Sequence, residues 1–259
     1  MLGINAKNRW QAFGIHLLIS LALFIIMCTV IVVLWYPGLL FTTEGGWQGV
    51  RLIASIDFVI GPILTLLVYK PGKWGLKFDL ACIGILQAIC LTYGMYVVNY
   101  SRPAVVAYAD GVYYTTPLLR FESRGIDIRD HELLHKRLPV WVNIKLPDDP
   151  KQRLQVKMDR IFKGLETSVD LYEPYAQAVK VLIREGYSLS EARTAGIEIP
   201  DSLNSNEIRI YKLNTRYDNY AVAVNTRTGE FEYLAGVFEK STEATLRKIH
   251  TRTPELVSP

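Results

Sequence analysis

The second half of the chain, residues 103–259, lacks cysteine and lacks any long apolar run. Without cysteine, this part folds without disulfide bonds. Without a run of about 20 apolar residues, it offers no further membrane span. It also has no net charge, because it contains 22 Lys and Arg and 22 Asp and Glu. The sequence pI of 8.8 therefore does not point to a nucleic-acid-binding surface.

The first 102 residues, in contrast, contain three apolar runs that predict transmembrane helices. Residues 13–36 hold no side chain that is charged at neutral pH, and as a helix they would span roughly 36 Å. Residues 52–69 and 78–98 predict the second and third spans. The first run exceeds the ~7–15 apolar residues of a cleavable signal peptide and no small-x-small site follows it, so we interpret it as an uncleaved anchor.

The charges around the spans predict their orientation. Lys and Arg precede the first span and recur in the loop 70–77, whereas only Arg51 and Arg102 flank the opposite side. The positive-inside rule then predicts a cytoplasmic N-terminus and an extracytoplasmic C-terminal region. We expect a three-helix transmembrane domain over residues 1–102 and an extracytoplasmic domain over residues 103–259.

The pattern of residues 103–259 predicts an α+β domain with an antiparallel sheet. Asp110-Gly111 separates two β-rich runs, which is a hairpin signal, and the last strands follow one another closely between residues 207 and 236. Asp149 and Pro150 begin a predicted helix with one buried face. The apolar positions of that face are Leu154, Met158, Ile161, Phe162 and Leu165.

Residues 131–135, HELLH, match the zincin pattern, in which two histidines one helical turn apart bind zinc and the glutamate polarises a water. The context is unfavourable, because Pro139 ends any helix soon afterwards and a third ligand is unassigned, with Glu166 as the next plausible carboxylate. A solvated surface turn is our preferred interpretation. The alternative is a membrane-anchored periplasmic zinc metallohydrolase that uses His131, Glu132 and His135.

Asp57 is the one charged residue inside the second span. It lies roughly 18 Å from the inner end of its helix, whereas Asp79 lies about 3 Å from Lys77 at the cytoplasmic face. The two carboxylates are therefore too far apart to share a proton as a catalytic dyad. Asp79 is better interpreted as an interfacial partner of Lys73 or Lys77.

An aspartate that faces lipid costs about 2.5–3.5 kcal/mol on insertion scales, so we expect Asp57 to face protein. Gln87 lies at a similar depth, and a hydrogen bond from it to Asp57, supported by Tyr93, would hold the second and third helices together. Pro62 would free a carbonyl near residue 58 and widen the space beside Asp57. The functional alternative to this structural role is that Asp57 makes a polar contact with another membrane helix. A solute or proton channel built on Asp57 is disfavoured, because the chain has only three spans.

Several blocks of the sequence resemble, in order and spacing, the type IV pilin accessory proteins, the TfpX/TfpZ group of FimB-like pilin assembly chaperones. The membrane blocks are the specific ones, and the later blocks match more weakly. They are WYPGLLF (35–41), GGWQGVRLI (45–53), DFVIGPILTLLVY (57–69), LKFDL (76–80), YGMYVVNYSRP (93–103), DDPKQR (148–153), YEPYAQA (172–178) and NTRTGEFEYL (225–234).

The resemblance implies an inner-membrane protein of a piliated Gram-negative bacterium that assists pilin stability, pilus assembly or pilus dynamics without catalysis or a cofactor. Its implied partners are the major type IV pilin, the lipid bilayer and components of the pilus assembly machinery. Asp57 becomes a candidate contact for the polar N-terminal part of the pilin helix. The HELLH residues lie outside the resembling blocks.

Overall fold

The computed structural model describes residues 7–132 and 138–250. The chain divides into two compact units, Met1–Arg102 and Pro103–Pro259. In the first unit, three helical stretches are long and apolar enough to cross a membrane, and each begins a few residues earlier than predicted. They are Arg9–Trp35, Gly46–Val68 and Leu76–Ser101.

Two of these stretches contain a π-helical segment. The first consists of α1 (Arg9–Thr29) and the π-helical segment Val30–Trp35. The short helix α2 (Leu40–Thr43) precedes the second stretch, which consists of α3 (Gly46–Ala54), the π-helical segment Ser55–Ile60 and α4 (Gly61–Val68). The third stretch is the single helix α5 (Leu76–Ser101).

The helices of the first unit pack around a small apolar core that includes Ile31 and Ile53, both fully buried. The hydroxyl of Tyr36 donates to the carbonyl of Val98 at 3.0 Å. Helix α3 lies so close to α5 that a Cβ added at Gly49 would be 2.9 Å from Val98 Cγ2. Other faces of the same helices expose large apolar side chains, as expected for helices that contact lipid or another apolar partner. The most exposed include Leu18, Ile26, Leu67, Ile85 and Ile89.

The second unit is built on a seven-stranded sheet with the order β4-β3-β1-β2-β5-β6-β7. The strands are β1 (Pro103–Ala109), β2 (Val112–Pro117), β3 (Val140–Ile144), β4 (Tyr172–Pro174), β5 (Ile208–Asn214), β6 (Asn219–Asn225) and β7 (Phe231–Val237). The predicted hairpin is present: β1 pairs with β2, and Asp110 and Gly111 both have positive φ, as a type I′ turn requires.

The prediction of an antiparallel sheet was wrong, because the sheet is mixed. Strand β1 pairs in parallel with β3, and β2 pairs in parallel with β5. Parallel pairing needs a connection of a dozen residues or more, and the chain supplies one in both cases. The connections carry the helices α6 (Leu118–Ser123), α7 (Pro150–Lys163), α8 (Val179–Glu185) and α9 (Leu189–Thr194), while α10 (Lys240–His250) follows the last strand.

A cluster of aromatic side chains fills one part of this unit. Tyr113 is fully buried on β2, and its ring contacts five other aromatic rings. Its hydroxyl shares a hydrogen bond with that of Tyr175. The contacting rings are those of Tyr108, Trp141, Tyr175, Tyr211 and Phe231.

The structure also corrects the predicted burial of α7. The helix begins as predicted, with Asp149 accepting a hydrogen bond from the Gln152 amide and Pro150 at the first position. However, Leu154, Met158, Ile161 and Phe162 are 60%, 41%, 73% and 75% exposed. The periodicity identified side chains that share a face, but this face points away from the domain; the remaining predicted position, Leu165, lies beyond the helix and is buried.

Candidate functional site

The first unit contains an elongated cavity of about 340 Å³. Its walls come from α1, the second helical stretch and α5, and they combine apolar side chains with six polar ones. On α1 the lining residues run from Ala12 to Leu23 and on α5 from Leu80 to Leu91, which is about 16–17 Å of helix in each case. The polar lining residues are His16, Ser20, Asp57, Thr65, Tyr69 and Gln87.

His16 joins all three helical stretches through its ring. Its Nδ1 lies 2.6 Å from Thr65 Oγ1 on α4, and its Nε2 lies 2.7 Å from Gln87 Oε1 on α5. An amide oxygen only accepts, so in this arrangement Nε2 carries a proton and donates to Gln87. In the neutral ring, Nδ1 then accepts from the Thr65 hydroxyl, and the three side chains satisfy one another.

The close approach of Gln87 to the second stretch depends on a glycine. A Cβ added at Gly61 would lie 1.9 Å from Gln87 Nε2 and 2.3 Å from its Cδ. Real Cβ atoms do not come within 3.0 Å of another heavy atom. The amide of Gln87 therefore occupies space that exists only because residue 61 has no side chain.

Asp57 lies in the π-helical segment Ser55–Ile60, five residues before Pro62. Proline has no N–H and so removes a donor from the helix, and a π-helical turn is one way to satisfy the freed carbonyl. The Asp57 side chain lines the cavity and the residue is only 2% exposed. Its Oδ2 has no hydrogen-bond partner among the described residues. A buried acceptor without a partner is costly, and π-helical segments are frequent at functional sites.

The predicted site residues are not all brought together. Asp57 and Gln87 line the same cavity, but Gln87 bonds to His16 rather than to Asp57. Pro62 is buried in α4 and is not among the residues that line the cavity. The expected hydrogen bond between Gln87 and Asp57 is thus replaced by one that the sequence analysis missed. Tyr93 is 68% exposed and lines a separate, shallow groove of about 650 Å³ on α5, so it does not support Asp57.

Sequence reasoning missed His16 and Thr65. Both lie in apolar runs, and their partners are distant along the chain: 49 residues separate His16 from Thr65, and 71 separate it from Gln87. The available signal was the imidazole itself, because a polar ring within a transmembrane helix generally faces the bundle interior or a partner. Asp79, in contrast, pairs with Lys73 at 2.6 Å, one of its two expected partners.

Comparison with known proteins identifies the family. A family model described as fimbrial assembly protein FimB matches residues 4–38, which include His16. The fimbrial assembly protein of serogroups C1 and C2 from Dichelobacter nodosus is 34% identical over 98 residues, which cover 37% of this chain and 74% of that protein. The chain belongs to the FimB fimbrial assembly protein family. The resemblance to FimB-like pilin assembly proteins is thereby confirmed.

Two further fimbrial assembly proteins of Dichelobacter nodosus match over the same length. The fimbrial assembly proteins of serogroups I and E1 are 34% and 33% identical over 98 residues. Those residues cover 37% of this chain but only 38% of each relative, so the chain matches less than half the length of these two proteins. No solved structure matches the chain.

The zincin pattern of this FimB-family chain falls partly outside the described residues. His131 and Glu132 directly follow a short 3₁₀ turn, Ile128–Asp130, and the His131 ring contacts that of Tyr172 at 6.0 Å. His135 lies outside the described residues. Within residues 7–132 and 138–250, no group of three or more His, Cys, Asp and Glu side chains is placed to hold a metal ion.

Proposed function

We propose that this chain is an accessory, chaperone-like protein of the bacterial inner membrane that binds the major type IV pilin and assists pilin stability, pilus assembly or pilus dynamics. The observation that carries the proposal is the 34% identity to a fimbrial assembly protein over 74% of that protein's length. The exposed apolar helix faces of the first unit support it, since a partner that is itself anchored by a hydrophobic helix can pack against them.

The proposed topology has a cytoplasmic N-terminus and a periplasmic second unit. Its support is the distribution of Lys and Arg. Lys70 and Lys73 lie in the loop between α4 and α5 and Lys77 lies in the first turn of α5, whereas single arginines, Arg51 and Arg102, lie near the other ends. A reporter enzyme fused after residue 259 tests it. Alkaline phosphatase, which needs an oxidising compartment, is expected to be active there, and activity of a cytoplasm-specific reporter alone would contradict the topology.

Asp57 is the proposed point at which the pilin is recognised inside the membrane. The cavity beside Asp57 is too small for a helix, because a helix segment 17 Å long and 10 Å across occupies roughly 1,300 Å³ against about 340 Å³ for the cavity. The pilin helix would therefore pack outside the cavity and send a single polar group to Asp57. The unpaired Oδ2 calls for a hydrogen-bonding group, which is a donor when the Asp57 carboxyl group is ionised.

Pulldown of pilin by Asp57 variants tests this contact. Asp57→Leu removes the hydrogen-bonding group and is expected to weaken pilin capture by about fivefold or more, since leaving a buried polar partner unsatisfied costs roughly 1–3 kcal/mol. Asp57→Asn keeps an acceptor oxygen and is expected to retain part of the capture. The matched control is Asp79→Leu, which removes a carboxylate that lies outside the cavity and pairs with Lys73.

Each variant is first checked for normal abundance in the membrane and for an unchanged elution volume in detergent. Capture by Asp57→Leu equal to that of the parent chain would remove Asp57 from the recognition mechanism. If Asp79→Leu also loses pilin capture, the loss in Asp57→Leu reflects general destabilisation of the helix bundle.

A further inference from the structure

Helix α7 of the second unit displays its apolar face to the surroundings. Leu154, Met158, Ile161 and Phe162 fall within about 100° of one another on a helical projection, and their exposed fractions range from 41% to 75%. None of the 14 residues of α7, all of which the structure describes, is buried. A soluble domain rarely leaves four large apolar side chains together in water, so this face requires a covering surface.

The opposite side of α7 is fixed to the domain by polar contacts, so the helix cannot simply roll its apolar face inward. Lys157 and Arg160 both pair with Asp110 in the β1–β2 turn, at 3.0 and 2.5 Å. The Arg160 guanidinium also lies over the ring of Tyr114 at 5.8 Å. At the C-terminal end, Arg124 donates to the carbonyl of Lys163. The orientation of the apolar face is therefore a property of the folded domain.

The helix also concentrates positive charge. Its sequence, PKQRLQVKMDRIFK, contains five Lys and Arg and one Asp. The rest of residues 103–259 holds 17 Lys and Arg against 21 Asp and Glu, so a net acidic domain presents one basic helix. Four of these cations already pair with Asp110, Asp148 or Asp159, but the side chains of Arg153, Lys157 and Lys163 remain 39–57% exposed. Anionic lipid headgroups attract such exposed Lys and Arg at a membrane surface, and surface ion pairs oppose that attraction only weakly.

We propose that α7 lies in the surface of an anionic bilayer, with its apolar side chains inserted at the boundary between headgroups and acyl chains. A basic amphipathic helix of low overall hydrophobicity is the sequence type that binds membranes in this way. The second unit would also be tethered at the membrane that the first unit is proposed to span, because α5 ends at Ser101 and β1 begins at Pro103. This membrane contact goes beyond pilin binding and does not depend on it.

Fluorescence quenching in proteoliposomes tests the proposal with the full chain. Cys28, Cys82 and Cys90 are first changed to alanine. A single cysteine is then introduced as Ile161→Cys on the apolar face or, as the matched control, as Gln152→Cys. Residues 161 and 152 are both exposed and lie about 180° apart on the helix. Each cysteine carries a small environment-sensitive fluorophore.

With vesicles of phosphatidylcholine and phosphatidylglycerol, the label at residue 161 is expected to be quenched by lipid-attached nitroxide and protected severalfold from aqueous iodide. The label at residue 152 is expected to show the reverse. Because electrostatic attraction contributes, protection at residue 161 should fall in pure phosphatidylcholine and at high salt. These vesicles contain no other protein, so iodide access at residue 161 equal to that at residue 152 would overturn the proposal.

A second variant separates insertion from folding. Ile161→Ser combined with Phe162→Ser replaces two side chains that are 73% and 75% exposed, so the unfolding temperature in detergent is expected to stay within a few degrees of the parent value. A label at Leu154→Cys in this background should lose its lipid quenching. Retained quenching would show that the apolar face does not hold α7 at the membrane, and would refute the insertion.

Discussion

Replacing Gly61 with alanine tests the contact on which the buried polar cluster depends. The added Cβ would lie 1.9 Å from Gln87 Nε2, whereas ordinary contacts are 3.4–4 Å. Gln87 must therefore retreat by about 1.5 Å or more, which breaks its 2.7 Å hydrogen bond to His16.

The expected net loss of stability is about 1–2 kcal/mol. A lost hydrogen bond between membrane helices costs about 0.6 kcal/mol on average and up to about 1.7, and overpacking costs roughly 1–3 kcal/mol. The better helix propensity of alanine offsets up to about 1 kcal/mol. The matched control is Gly84→Ala on α5, because a Cβ there would meet no described atom within 4 Å. That variant is expected to be neutral or slightly stabilised.

Equilibrium unfolding of the purified chain in mixed micelles, titrated with a denaturing detergent, measures both variants. The double variant Gly61→Ala with Gln87→Ala completes the cycle, since removing the Gln87 amide makes room for the new methyl group. Alanine at residue 61 is then expected to cost less than about 0.5 kcal/mol. If Gly61→Ala proves no more costly than Gly84→Ala, or if its cost persists in the double variant, the close packing of Gln87 on Gly61 is refuted.

Two predictions concern the second unit. Burial alone would raise the pKa of Glu191, but hydrogen bonds from Ser188 and His250 bring the pKa below its ordinary value of 4.5. The folded state thus favours the ionised carboxylate. The stability that this carboxylate contributes above pH 4.5 should be lost as the pH falls through the depressed pKa. Thermal unfolding between pH 7 and 3 should show a smaller pH dependence in Glu191→Gln, and a slope equal to the parent's would exclude this role. Tyr113→Phe leaves the buried Tyr175 hydroxyl without the bond it makes in the folded chain, so it should lower the unfolding free energy by about 1–3 kcal/mol, whereas Tyr113→Phe with Tyr175→Phe should recover much of that loss. Denaturant unfolding followed by circular dichroism measures these variants together with Tyr175→Phe. A double variant whose loss of stability equals the sum of the Tyr113→Phe and Tyr175→Phe losses would contradict the pairing.

The elements that local sequence specifies were predicted well. A membrane-length helix is signalled by about 20 neighbouring residues, so the three apolar stretches were located to within a few residues of their observed starts, or six in the case of Gly46. The Asp110-Gly111 hairpin and the Asp149 cap of α7 are equally local signals. In each case the residues that determine the structure are contiguous in the chain.

Long-range pairings were not predicted, because no local pattern encodes them. A strand has the same alternation whether its neighbour is parallel or antiparallel, so the pairing of β1 with β3 was not visible in the sequence. Helical periodicity showed that Leu154 and Ile161 share a face, but it cannot show whether that face points to the domain or away from it. His16 was missed for a related reason: its partners lie on two other helices, and its neighbours in sequence are apolar.

The π-helical segment before Pro62 determines which side chains of the second stretch share a direction. In an uninterrupted α-helix, consecutive residues turn by about 100°, so Thr65 would point about 80° away from Asp57 and Tyr69 about 120° away. The wider turn absorbs roughly one residue, and Asp57 lies near its middle, so about half of that rotation applies to the residues that follow. Thr65 then points about 30° from Asp57 and Tyr69 about 70°, and all three line the cavity. Removing a single residue from Ser55–Ile60 would therefore rotate half of this helix relative to the other half, while leaving its length and hydropathy almost unchanged.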